Sequence, residues 1–143
     1  VKTLPPTTID YLATLPDLYY KFVPESRLIR SLKRIAESIE IYYITSRPES
    51  CRDATEKFLR DFDFPMRDNL VLSMSKGLDC RRHHIDVLVD DIVTNFVGLP
   101  MDTIGVLYTQ PWNEDADYPR RVSNFDGVER ILGLKRRLDG TAN

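Results

Sequence analysis

Two adjacent carboxylates, Asp90 and Asp91, close the short apolar run Asp86-Val87-Leu88-Val89. Such a run fits a strand buried on both faces of a sheet, and its carboxyl end opens into the crevice where α/β proteins bind ligands. Two carboxylates there repel each other and lose hydration unless a cation or a basic group compensates them. Mg2+ suits the position, because it takes oxygen ligands and keeps water and phosphate in its shell. A solvated acidic turn after the strand is the plainer alternative. The pair has company, however. Thr45 follows the apolar run Ile41-Tyr42-Tyr43-Ile44, and Lys76 follows Leu70-Val71-Leu72. A hydroxyl, an ammonium and a carboxylate pair on one sheet edge form a site for a phosphoryl group. The hydroxyl donates to a phosphoryl oxygen, the lysine neutralises charge, and the metal bridges phosphate to protein.

The elements that must bring these groups together are legible as alternating apolar runs. Strands are expected near 41–45, 69–73, 86–90 and 103–108. Pro24-Glu25-Ser26 opens a helix whose Leu28, Ile29, Leu32, Ile35, Ala36 and Ile39 share one face. A second helix runs from about Pro48 to Phe62, with Cys51, Ala54, Phe58, Leu59 and Phe62 inward, and Asp63-Phe64-Pro65 breaks it. Lys76, Arg81, Arg82, His83 and His84 fall in a polar connection. A closing helix starts at Ser123, with Asp126 completing a capping box, and ends at the basic Lys135-Arg136-Arg137. Strands alternating with helices predict an α/β three-layer sandwich: a parallel sheet with helices on both faces. The divisions expected are an N-terminal arm over 1–23, a core domain over 24–138 and a tail over 139–143.

Length and composition bound the function. A chain of 143 residues is one domain of ordinary size, and 42% apolar with 29% charged residues is the balance of a water-soluble protein. A net charge of −2, with both signs interspersed, offers no bulk attraction for a nucleic-acid polymer or a membrane surface. No run approaches the ~18 apolar residues of a membrane span. Cys51 and Cys80 lack metal-type spacing and suit a reducing, intracellular compartment.

The order of the chemical groups resembles the haloacid dehalogenase-type phosphatase superfamily. Ile41–Thr45 is similar to its second motif, Lys76 to its third, and Val87–Asp91 to its fourth. Within it, Ile44-Thr45-Ser46-Arg47-Pro48 looks like the second motif of the 5'(3')-deoxyribonucleotidase-like branch. Gln110-Pro111-Trp112-Asn113, Tyr118-Pro119-Arg120 and the helix from Ser123 resemble that branch's C-terminal end. Phe22-Val23-Pro24-Glu25 resembles its return from the cap into the core, so the likeness covers about residues 20–133. It implies Mg2+-dependent hydrolysis of a small phosphomonoester such as a nucleoside monophosphate. Thr45 and Lys76 would be catalytic, Thr45, Ser46 and Lys76 would bind phosphate, and Asp90 and Asp91 would hold the metal.

The first motif of that family, a central strand ending Asp-x-Asp that supplies the nucleophile, is not found. Asp10-Tyr11-Leu12 follows two prolines, which disfavour a central strand, and Asp61-Phe62-Asp63 comes after the second motif. The expectation is therefore a missing central strand, lying upstream of Val1 or on another chain, with residues 1–20 a remnant of the cap. A protein partner or an upstream segment would then complete the sheet. The alternative is a catalytically inactive domain of the same type, acting as a structural or docking module in a larger assembly.

Other readings of single features are weaker. A response-regulator receiver would carry its acidic pair on the first strand and its lysine on the last, the reverse of the order here. His83-His84 beside Arg81-Arg82 could bind metal or phosphate, but adjacent residues face different ways. Trp112 either stacks on a base or covers the sheet edge.

Overall fold

Parallel strands alternate with helices, as the apolar runs require. In a computed structural model of the chain, described for residues 26–134, the elements follow in this order. Helix α1 spans Ser26–Ala36, strand β1 Tyr43–Thr45, helix α2 Arg52–Asp61 and strand β2 Leu70–Leu72. Helix α3 spans Lys76–Arg82, strand β3 Val87–Asp90, strand β4 Ile104–Tyr108, strand β5 Arg121–Val122 and helix α4 Phe125–Ile131. The expected arm, the Pro24-Glu25 helix start, Asp10, the Lys135-Arg136-Arg137 end and the tail lie outside the described residues.

β1 pairs with β2 in parallel, and β3, β4 and β5 form a second parallel set in that order. The period-2 alternation of each strand sends side chains to two cores. Tyr43, Val89 and Val106 join Leu32, Ile35, Phe58, Leu59, Phe64, Phe125 and Val128 on one face. Ile44 and Leu88 join Cys80 on the other, with Phe96 and Leu99 packed against them. Both cores draw on both strand sets, so the two sets occupy one layer with helices on either side. This is the layered α/β architecture that the sequence predicts.

Among the described residues, the two sets are not hydrogen-bonded to each other, and no ladder links β1 to β3. A cavity of about 360 Å3 lies between their amino ends, lined by Ile41 and Tyr42 before β1 and by Ile85, Val87 and Val89 at β3. Leu32, Ile35, Phe125 and Val128 close it from the helical side. Direct pairing of β1 with β3, which would count against a strand expected between them, is not seen among the described residues.

Three local features differ from expectation. Lys76 is not in a loop: it opens α3, whose N-cap Ser75 accepts a hydrogen bond from the Leu78 amide at 3.4 Å. The cap of α4 is Asn124 rather than Ser123, its side-chain oxygen accepting from the Gly127 amide at 3.0 Å. β5, unanticipated, pairs with the end of β4 through Leu107–Arg121 and Tyr108–Val122. Gly77 follows Lys76 where α3 crosses the turn at Gly98. A Cβ there would meet the Gly98 carbonyl oxygen at 2.5 Å, so only glycine lets the helix approach.

Candidate functional site

The site is built where β1, β2 and β3 end. Thr45 is the last residue of β1, Ser73 follows β2, and Asp90 is the last residue of β3. The Ser73 amide donates to the Thr45 carbonyl at 2.7 Å, which extends the β1–β2 ladder by one bond and fixes the two ends together. Both residues are buried, at 5% and 4% exposure, and neither the Thr45 nor the Ser73 hydroxyl has a hydrogen-bond partner among the described residues. An unmet buried polar group costs about 1–3 kcal/mol. Two of them on adjacent strand ends call for a partner such as a water, an ion or a ligand oxygen.

Asp90 is the opposite case. Its Oδ1 accepts from the amides of Asp91 at 2.8 Å and Ile92 at 3.1 Å. Its Oδ2 accepts from the Lys76 ammonium at 2.5 Å and from the Asn95 amide at 3.0 Å. Both members of the ion pair are buried. Such a pair holds only because hydrogen bonds satisfy the remaining lone pairs, and the Asp91, Ile92 and Asn95 donors do so. The structure thus brings Lys76 and Asp90 together, as the sequence anticipates, but sets the ammonium on the carboxylate.

Asp91 is buried at 4% exposure. Its carbonyl accepts from the Asn113 amide at 2.9 Å, and the same amide donates to the Tyr108 carbonyl at 2.8 Å. Ser46 is exposed, so the buried group does not include it. Arg47 is buried instead, its guanidinium donating to the Thr55 hydroxyl at 2.7 Å, which in turn donates to the Cys51 carbonyl at 2.7 Å. That chain of bonds props the loop leaving β1.

Ser73, Asn95 and Asn113 are not among the site residues that the sequence suggests, although Ser73 closes an expected strand and Asn113 falls in the segment that carries the resemblance. Ser73 carried the signal that found Thr45, a hydroxyl closing an apolar strand. Asn95 reaches back to Asp90 from the 3-10 turn Val93–Phe96, and no spacing rule announces such a contact. His83 stacks obliquely on Tyr42, ring centroids 5.0 Å apart, at the cavity and not with the strand-end groups.

Oxygen donors of this kind suit Mg2+, which is commonly held by one or two carboxylates with water and phosphate completing its shell. Among the described residues, no group of three or more His, Cys, Asp or Glu gathers as a metal site. Asp90 and Asp91 would therefore have to share the ion with ligands from elsewhere. Cys51 and Cys80 are both buried, and burial pushes the Cys80 thiol up. Among the described residues, no helix is long and apolar enough to cross a membrane.

No family model matches the chain. It is similar to the Oceanobacillus iheyensis protein named "Putative nucleotidase", with 33% identity over 95 residues, covering 60% of this chain. The chain spans 45% of that relative's length.

Proposed function

We propose that this chain is part of a Mg2+-dependent phosphomonoesterase of the haloacid dehalogenase type, with a nucleoside monophosphate as substrate. The observation that carries the reading is the pair of buried hydroxyls, Thr45 at the end of β1 and Ser73 just after β2, which have no partner among the described residues and stand at the same edge as the Lys76–Asp90 pair. A tetrahedral phosphoryl group offers the acceptors those hydroxyls lack, and Lys76 supplies the cation that a transferring phosphoryl group needs. The similarity to a protein named as a nucleotidase supports a nucleotide as the ester.

Asp90 and Asp91 are the residues that would hold Mg2+, which when bound offsets the repulsion between carboxylates and phosphate. Thr45 and Ser73 orient the phosphoryl oxygens, and Lys76 balances charge as the ester bond breaks. The in-line nucleophile is a carboxylate carried on a strand seated between β1 and β3, supplied by an upstream segment or a partner. The lack of a ladder between β1 and β3 among the described residues, and the cavity between their amino ends, support that position. A purely structural docking module would have no use for two costly buried hydroxyls, which favours the enzyme.

The test is phosphate release from nucleoside monophosphates with Mg2+, by the chain alone and by its full-length gene product. The expected result is an inactive chain, an active full-length product, and activity lost in Lys76→Ala. An active chain, or a full-length product inactive on a broad panel of phosphomonoesters, would overturn the reading.

A further inference from the structure

We propose that the groove beside Asp91 binds a nucleobase against the face of Trp112, an inference that rests on the phosphomonoesterase reading above. The groove measures about 370 Å3 and is lined by Asp91, Ile92, Val93, Pro111, Trp112 and Ala116, among others. It shares Asp91 with the phosphoryl site, so one ligand can span both. That volume lies within the range of small-molecule pockets.

Trp112 is 47% exposed, so it does not serve mainly to seal the sheet edge. It sits in the 3-10 turn Pro111–Asn113, which is pinned from both sides. The Asn113 side chain holds the Gln110 amide at 2.9 Å and reaches the Asp91 and Tyr108 carbonyls. Arg121 donates to the Ala116 carbonyl at 2.6 Å on the far side. The turn that carries the half-exposed indole is thus held in place, and a flat ligand stacking on it would not have to order the loop first. Thr94 and Asp115 also line the groove and offer polar partners for the edge of a base. An exposed aromatic ring beside apolar Ile92, Val93, Pro111 and Ala116, with polar groups at hand, fits a nucleobase better than an aliphatic ester group.

Trp112 is the single tryptophan of the chain, so its emission reports on this groove directly. The experiment titrates the chain with adenosine and thymidine monophosphates, glycerol phosphate, inorganic phosphate and free adenosine, following Trp emission, with calorimetry in parallel. Nucleoside monophosphates are expected to quench the emission and to bind about tenfold tighter than glycerol phosphate. Trp112→Ala should bring the two to equal affinity, and Trp112→Phe should keep the preference. Equal affinities in the unmodified chain, or a preference that survives Trp112→Ala, would overturn the groove assignment. Quenching by free adenosine with no binding of any phosphate would uphold the groove and overturn the phosphoryl site. Phosphate binding with no response to any base would do the reverse, and silence in every titration would overturn both.

Discussion

Asp90 and the Thr45–Ser73 pair stand at strand ends and are equally buried, yet their surroundings differ in opposite senses. The carboxylate accepts four hydrogen bonds, one of them charge-assisted, whereas the two hydroxyls have no partner among the described residues. The Asp90 end is closed by the fold's own donors, so Mg2+ and a phosphoryl group would have to take Lys76 or Asn95 off the carboxylate, and substitutions there are expected to cost stability. The hydroxyl end holds an unmet cost that a bound anion would remove, and it is expected to be the part that trades stability for function.

The largest effect should come from opening the closed end. Lys76→Met leaves a buried carboxylate without its cation, and urea denaturation should show a loss of about 3–5 kcal/mol. Adding Asp90→Asn should return much of it. A loss well under that range, with no recovery in the double variant, would mean the pair does not hold the two strand ends together.

Next comes Gly77→Ala, which drives a methyl into the Gly98 carbonyl oxygen. The expected cost is about 1–3 kcal/mol, read by the same denaturation. Because α3 carries Lys76 at its first position, the variant should weaken phosphate binding as well.

The hydroxyl end should answer with the opposite sign. Ser73→Ala is expected to be neutral or to stabilise by up to about 1 kcal/mol, since it removes an unmet polar group. A clear loss of stability would show that the hydroxyl is satisfied within the fold.

The smallest effect lies far from both. Asp63 accepts from Lys33 at 2.5 Å on the surface, and that hydrogen bond holds its carboxyl below the usual carboxylate range. A lowered folded-state pKa contributes stability that is present above the unfolded value and lost as pH falls through the folded one. Asp63→Asn keeps the positive φ of 59° that Asn tolerates. It should shift the thermal midpoint only slightly at neutral pH and remove a small part of its fall in acid.

The same contrast governs what the sequence revealed. The strands β1 to β4 were legible because each is an apolar run, and Thr45, Lys76, Asp90 and Asp91 because they follow such runs. α3 was missed because its seven residues contain Gly77 and three charged side chains beyond Lys76, which reads as a polar loop. Ser75, with Asp79 in the first turn, was the cap signal present. β5 is two residues long and has no pattern to read. The α4 cap moved by one residue because Ser123 and Asn124 are both good caps, and only the Gly127 amide chooses between them. Asn95, which completes the closed end, is placed by a 3-10 turn whose geometry no periodicity encodes. Ser46, expected from the resemblance alone, is exposed: the side chain after a strand-end Thr turns with the loop, which here buries Arg47.

One comparison tests the phosphoryl site most directly: inorganic phosphate binding and unfolding stability, measured together, in the unmodified chain and in Thr45→Val. Valine keeps the shape of threonine and removes only the unpartnered hydroxyl. The prediction is a variant at least as stable as the parent that binds phosphate roughly tenfold more weakly, the loss of one hydrogen bond to a charged group. A variant that is less stable and binds phosphate as tightly as the parent would contradict it, because Thr45 would then belong to the fold and not to the ligand.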